Sequence, residues 1–440
     1  MAAIILTFEG HMIAAFKKNL HWIFLTIPIA IVTGCFVGLF LWLLTIAIHF
    51  RFHHSWLLFL LPIAGIGIYF IYQFAGKGAE KGNNLVIEEI HQPGGGIPAR
   101  MGPVILATTV ITHLFGGSAG REGTAVQIGG SIAAMFGKWF KLNPQDTSIM
   151  LTAGIAAGFG AVFGTPITGA IFALEVLTIG RVKYDAFFPC LAASIIANVT
   201  VSALGVHHTA YHIEIFSAAP YFLSAYLPIS LLLVVKVIVA GVPFGLASKL
   251  FVELMHQIKA LIGRLIRIKW MIPVVGGLLL IGLTYLNGKP DYLSLGVDPE
   301  YPGAVTIPSA FHSGGAATWS WLWKTVYTSV TLATGFKGGE VTPLFYIGAT
   351  LGNTLSTILN APVSLFAALG FIAVFAGATN TPVACTVMGA ELFGPEHLFL
   401  FFVACFTAYL FSGHTGIYAA QHSATTGKGY LHTKLKKYRL

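Results

Sequence analysis

Gly117-Ser118-Ala119-Gly120-Arg121-Glu122-Gly123-Thr124 sets a single acid in glycine-rich sequence between long apolar runs, and Phe336-Lys337-Gly338-Gly339-Glu340-Val341-Thr342-Pro343 does the same 218 residues later. A carboxylate carried into the middle of a bilayer on a helix costs at least about 2.5 kcal/mol, so an acid kept at that depth is a functional candidate. Glycines weaken a simple spanning helix but let backbone N–H groups come close to a ligand, and helix N-termini attract anions. Together these features describe an anion path with protonatable acids in it, and Glu122 and Glu340 are the candidate acids.

The surrounding composition sets the class. Hydrophobic residues make up 56% of the 440, and only 9% are charged, against about 25% charged in ordinary soluble domains. Leu20 to His49, Ser55 to Phe74 and Pro220 to Ala240 reach the roughly 20 residues a helix needs to cross a bilayer. Phe187 to Ala203 and Leu398 to Phe411 fall short of it. The expectation is a polytopic, all-α membrane protein of about ten or more helical segments, several of them broken.

The formal net charge of +9 does not call for a nucleic-acid partner, because the cations sit where a membrane protein needs them. Lys17 and Lys18 precede the first span, Arg264, Arg267 and Lys269 form a central cluster, and Lys434, Lys436, Lys437 and Arg439 close the chain. The positive-inside bias then puts both termini and the central loop in the cytoplasm. Leu20 onward reads as a retained first span, since no small-residue cleavage site follows a short apolar core. Cys35, Cys190, Cys385 and Cys405 lie singly in apolar runs and read as packing residues. The pairs His53-His54 and His207-His208 lack the spacing of a metal site, so neither metal nor cofactor is expected.

The chain is internally duplicated. Gly164-Thr165-Pro166 is followed nine residues after its proline by Glu175, and Thr381-Pro382 nine residues after its proline by Glu391. Gly154 to Phe163 and Gly370 to Thr379 match in small and Phe residues, and Glu122 with Thr124 mirrors Glu340 with Thr342. Such repeats in transporters are often inverted, with the substrate site where broken helices of the two halves meet. The expected organisation is a first membrane repeat with its N-terminal helix over 1–250, a basic linker over 251–270, and a second repeat with a short basic tail over 271–440.

Three motifs resemble the CLC family of chloride channels and proton-coupled anion exchangers. Gly120-Arg121-Glu122-Gly123 with Val126-Gln127-Ile128-Gly129-Gly130 is similar to its gating-glutamate segment, Gly335 to Phe345 to its second anion-binding loop, and Gly416-Ile417-Tyr418 to the loop bearing its anion-contacting tyrosine. The resemblance implies a CLC-like inverted repeat of tilted, broken helices and a homodimer with one anion path per subunit. It also implies a multi-pass inner-membrane location.

Departures from the chloride-type pattern point to one branch. Gly82-Asn83-Asn84-Leu85-Val86 stands where chloride-handling members place a serine loop, and Gly339-Glu340-Val341-Thr342-Pro343 adds an acid to the second loop. Gly95-Gly96-Ile97-Pro98 lies too close to Glu122 to be that serine loop and reads as a turn. The substitutions resemble the fluoride-exporting branch, which implies a fluoride/proton antiporter; a chloride/proton exchanger or chloride channel is the alternative. Glu122 then gates and carries protons, Glu340 is the central acid, and Asn83, Thr342 and Tyr418 are the anion-binding residues. Fluoride is an avid hydrogen-bond acceptor, and a protonated carboxyl, an amide and hydroxyls are compact donors for it. Loss of solvation disfavours the charged form of an acid, which is what a proton carrier near neutral pH needs.

Each assignment has a structural competitor. Glu122 could pair with a buried cation, Glu340 could be neutralised by Lys337, and Glu175 and Glu391 fit helix-end structural acids as well as transport. Val176 follows Glu175 where many exchangers carry an inner proton-transfer acid, so that second acid has no counterpart here. Gly116-Gly117-Ser118-Ala119-Gly120 also fits the G-x-S-x-G pattern of a serine hydrolase with His113 nearby, but the strand-turn-helix context is missing, so no enzyme is expected.

Overall fold

The computed structural model describes residues 2–213 and 230–423, with side chains from Trp22 onward. The start of the expected 220–240 span, Lys17, Lys18 and the basic C-terminal tail lie outside the described side chains. Fifteen α-helices occur among the described residues. In chain order the first eight are α1 (Ala2–His53), α2 (Leu61–Phe74), α3 (Asn83–His91), α4 (Met101–Leu114), α5 (Glu122–Trp139), α6 (Pro144–Phe163), α7 (Pro166–Glu175) and α8 (Phe187–Ala203). Then come α9 (Leu231–Leu265), α10 (Met271–Asn287), α11 (Ser320–Ala333), α12 (Val341–Leu359), α13 (Val363–Thr379), α14 (Pro382–Phe393) and α15 (Leu398–Phe411). Two two-residue strands, β1 (Thr178–Ile179) and β2 (His422–Ser423), pair in parallel.

Five helical segments are long and apolar enough to cross a membrane, at 22–53, 55–74, 144–163, 184–203 and 231–265. Several of the others are short, and the reason is local. Pro166 and Pro382 start α7 and α14 at positions where a missing N–H costs nothing. Gly164 and Asn380 end the preceding helices in left-handed backbone. Residues 251–270 do not form an irregular connection: α9 continues unbroken to Leu265, and only 266–270 separate it from α10. Neither Gly263 nor the in-helix Pro243 stops it.

The duplication is built into the packing. α5 crosses α6 where Gly129 meets Gly154 and Gly158 meets Ala125, and α12 crosses α13 where Gly348 meets Gly370 and Gly352 meets Phe366. At each of these glycines an added Cβ would run into the neighbouring helix's backbone, so the crossings exist because no side chain separates the helices.

Glu175 and Glu391 complete the symmetry. The Glu175 carboxylate, at the end of α7, accepts from Val383 N at 3.0 Å and Ala384 N at 2.7 Å in the first turn of α14. The Glu391 carboxylate, on α14, accepts from Ile167 N at 2.9 Å and Thr168 N at 2.7 Å in the first turn of α7. Each acid satisfies orphan N–H groups of the other repeat's helix and sits at the positive end of its dipole. This is the structural alternative anticipated for the two acids.

At the centre, the glycine-rich segments of the two halves meet as an antiparallel bridge. Gly120 N donates to Gly339 O at 2.6 Å, and Gly339 N donates to Gly120 O at 2.7 Å. The bridge brings the N-termini of α5 and α12 to one point inside the bundle.

Candidate functional site

Glu122 is the first residue of α5 and is 1% exposed. Its carboxylate reaches the N-terminus of α12, where Oε2 accepts from Thr342 N at 3.1 Å, and the same oxygen accepts from Arg121 N, at the start of its own helix, at 3.1 Å. The Thr342 hydroxyl donates to Oε1. A carboxylate held by two backbone N–H groups and a hydroxyl at a helix N-terminus occupies the kind of seat that binds a free anion. No lysine or arginine side chain forms an ion pair with it among the described residues, so the salt-bridge alternative does not apply.

Glu340 caps the same helix from the other strand of the bridge. Its Oε2 is buried without a hydrogen-bond partner. Lys337, the cation expected to neutralise it, lies over the Tyr72 ring at 4.2 Å instead, and no Lys337–Glu340 ion pair occurs among the described ones. Asn83 begins α3, and its Oδ1 is likewise buried and unpartnered. Asn83 Nδ2 and Glu340 Oε2 converge on the space above Gly123, where a Cβ would meet them at 2.9 and 3.6 Å. Two unpartnered buried acceptor oxygens, Glu340 Oε2 and Asn83 Oδ1, are costly, which marks a place where a proton or a donor completes the bonding.

Tyr418 is 7% exposed and is carried by a segment tied down at both ends. Ile417 N donates to Ala378 O at 3.0 Å, Ala420 N to Asn84 Oδ1 at 2.9 Å, and His422 N to Leu177 O at 3.1 Å. The Asn84 bond links the tyrosine segment to the helix that starts with Asn83. Asn83, Glu340 and Tyr418 line one cavity of about 230 Å³, with Gln127, Lys259, Lys337 and His256 on its walls. Thr342 lines a different cavity, of about 20 Å³, with Arg121, His208, Tyr211 and Phe345. The two share no lining residue, and Glu122 adjoins the smaller one through its bonds to Thr342.

The structure thus brings together all five candidate residues: Glu122 with Thr342 on one side, Asn83, Glu340 and Tyr418 on the other. Phe345, at the end of the second-loop segment, stacks on Phe371 at 3.8 Å and borders the small cavity. Sequence reasoning gave no role to Gln127, Lys259 and Tyr211, and weighed His208 only as a metal ligand. Gln127 was inside the quoted motif, but His208 and Tyr211 come from a loop with no motif at all. Ser118 bonds Thr328 Oγ1 at 2.9 Å, while His113 bonds Ser294 Oγ at 3.0 Å; the pair forms no nucleophile–base couple.

A family model described as voltage gated chloride channel matches residues 61–413, a span that contains both bridge segments. The chain belongs to that family, the CLC family of anion channels and exchangers. Among curated CLC proteins it is 47% identical over 402 residues, 91% of this chain and 86% of the other, to a chloride/fluoride channel protein of Pseudomonas syringae pv. tomato. It is 25% identical, over 77% of this chain and 72% of the other, to the H(+)/Cl(-) exchange transporter ClcA of Vibrio cholerae. Its fold is similar to the crystal structure of a CLC-type fluoride/proton antiporter, with a TM-score of 0.85 and 33% identity over 93% of this chain and 99% of that one. A slow cyanobacterial Cl-/H+ antiporter shares the CLC fold at a TM-score of 0.72 and 18% identity, over 95% of this chain and 99% of that one.

Proposed function

We propose that the protein is a fluoride/proton antiporter that exports fluoride across the inner membrane. The observation that carries this reading is the pair of buried acids around one helix N-terminus: Glu122 seated as an anion on Thr342, and Glu340 with an unpartnered oxygen beside Asn83. In the proposed cycle Glu122 leaves the seat when protonated and yields it to the anion. Return of the carboxylate expels the anion, so proton and fluoride move in opposite directions. Glu340, when protonated, donates to the fluoride or receives the swung Glu122; Asn83, Thr342 and Tyr418 provide the neutral donors. Fluoride's strong hydration calls for strong donor groups such as these hydroxyls, an amide and a protonated carboxyl.

The similar chloride/fluoride channel protein and the similar fluoride/proton antiporter support the choice of fluoride. The less similar H(+)/Cl(-) exchange transporters keep chloride/proton exchange, or a chloride channel, as the second reading. A homodimer with one path in each subunit, and cytoplasmic termini, belong to the same proposal.

The anion preference rests on Glu340, so its test is Glu340→Gln. Fluoride efflux from liposomes, followed with a fluoride electrode, is expected to fall at least about tenfold, the scale for losing one bond to a charged partner. Chloride efflux is expected to fall less or rise. An equal loss for both anions would refute the role given to Glu340 and favour the chloride reading.

A further inference from the structure

We propose that the end of α9 and the residues that join it to α10, from Leu261 to Trp270, form a binding surface for an anionic phospholipid, with the lipid phosphate on Arg264, Arg267 and Lys269 and an acyl chain along Leu261 and Leu265. The inference starts from a helix too long for the bilayer. The 35 residues of α9 extend about 52 Å at about 1.5 Å per residue, against a hydrocarbon core of about 30 Å. The half-exposed Lys249–Glu253 ion pair closes its apolar stretch, and α10 re-enters with an apolar run from Met271. Residues 254–270 therefore lie at one membrane face.

Charge at that face is one-sided. From Leu254 to Pro290 the chain has no aspartate or glutamate, and none of Lys259, Arg264, Arg267 and Lys269 belongs to an ion pair among the described residues. The apolar side chains set among these cations face outward: Leu261 is 56% exposed, Leu265 72%, Ile268 50% and Trp270 41%. Ile262 is buried, which fixes the side of the helix that packs on the protein. Leu261 and Leu265 are one turn apart on the outer side, with Arg264 next to them. Exposed apolar residues with interleaved cations and a tryptophan are the pattern of a segment lying in the headgroup layer, and a guanidinium fork binds a phosphate through two N–H groups. A zwitterionic headgroup leaves the excess positive charge uncompensated, whereas an anionic one complements it. Met255, His256 and Lys259 of the same helix line the Glu340 cavity, so the bound lipid and that cavity share one rigid element.

The site stands apart from the antiporter reading, and its test reads binding, not transport. The full-length protein is placed in phosphatidylcholine liposomes to which bromine-labelled phosphatidylglycerol or bromine-labelled phosphatidylcholine is added in steps. The Trp270 signal is the difference in quenching between each protein and its Trp270→Phe counterpart. Half-maximal quenching is expected at a mole fraction at least about fivefold lower for phosphatidylglycerol, the scale set by one cation at an anionic surface. Arg264→Gln, Arg267→Gln and Lys269→Gln should each raise that mole fraction about fivefold, and the three together should abolish the preference. Removing three other cations, by Lys77→Gln, Lys141→Gln and Lys183→Gln, should leave the preference in place. All six side chains are exposed, so their loss leaves the packed core intact. Equal quenching by the two lipids, or an unchanged preference in the Arg264, Arg267 and Lys269 triple variant, would overturn the site. Equal loss of preference in the two triple variants would assign the attraction to net charge and overturn it as well.

Discussion

Thr342 is the residue on which the account turns most sharply, because its N–H and hydroxyl together hold the Glu122 carboxylate. Thr342→Val keeps the shape and removes one donor. The expected result is a folded protein whose fluoride exchange, timed with an ion-selective electrode, is slower by about tenfold or more, as for a bond to a charged acceptor. A rate indistinguishable from the parent would assign the hydroxyl to structure alone. At this scale the sequence was informative where chemistry and spacing coincide. Two acids in repeated glycine-rich segments, and a threonine two residues after the second acid, point to the seat without any coordinates. It was silent where contacts are made across the fold. Nothing in the order of residues reveals that Lys337 turns to Tyr72 and away from Glu340, or that His208 comes to rest beside Arg121.

Several helices use their ends for bonding across the repeats, and the reciprocal caps made by Glu175 and Glu391 are the clearest case. Glu175→Ala strips two backbone donors of α14, one of them buried, and is expected to cost about 2 to 3 kcal/mol. It should lower the detergent melting temperature more than Glu391→Ala, whose bond to Ile167 N is exposed. The reverse order would mean that these acids do more than cap helices.

The tyrosine segment has its own clasp at the end of α3. His91 and His422 stack at 3.7 Å, and His91 Nε2 bonds Leu177 O at 2.9 Å. Burial, foremost, lowers the pKa of His91 below its usual value, with smaller contributions from His422 and Lys183, while the bond to Leu177 acts the other way. A depressed histidine favours the folded form when neutral. Its contribution is present above about pH 6.5 and is lost as pH falls through the lower folded value. Amide exchange at 417–422 should therefore quicken, after correction for intrinsic rates, as pH is taken from 7.5 to about 5, and His91→Phe should flatten that dependence. Identical dependence in the two proteins would remove His91 from the clasp. Element boundaries were the less legible part of the sequence. A basic run suggested a linker over 251–270, yet helix-favouring residues carry α9 on to Leu265, because amphipathic Lys and Arg are as much at home on a helix as in a loop.

Across the whole molecule, two halves related by the Gly120–Gly339 bridge place two helix N-termini and two acids at one buried point. The repeat was readable because Glu122, Thr165-Pro166 and Glu175 recur as Glu340, Thr381-Pro382 and Glu391. What the two cavities do differently was not, since they are lined by residues from opposite ends of the chain, among them Lys259 and Tyr418 on one side and Arg121 and Tyr211 on the other. The asymmetry matters for function: a wide cavity reaches Glu340, a narrow one reaches the Glu122 seat through Thr342, and a carboxylate that leaves that seat and returns to it can couple two opposed fluxes.

The direct test of that coupling is proton movement in sealed liposomes containing the purified protein, with a fluoride gradient imposed at zero proton gradient and an equal chloride gradient run in parallel. The account predicts uphill proton movement with fluoride, little with chloride, and none in Glu122→Gln. Equal coupling to chloride, or fluoride flux with no proton movement, would contradict it.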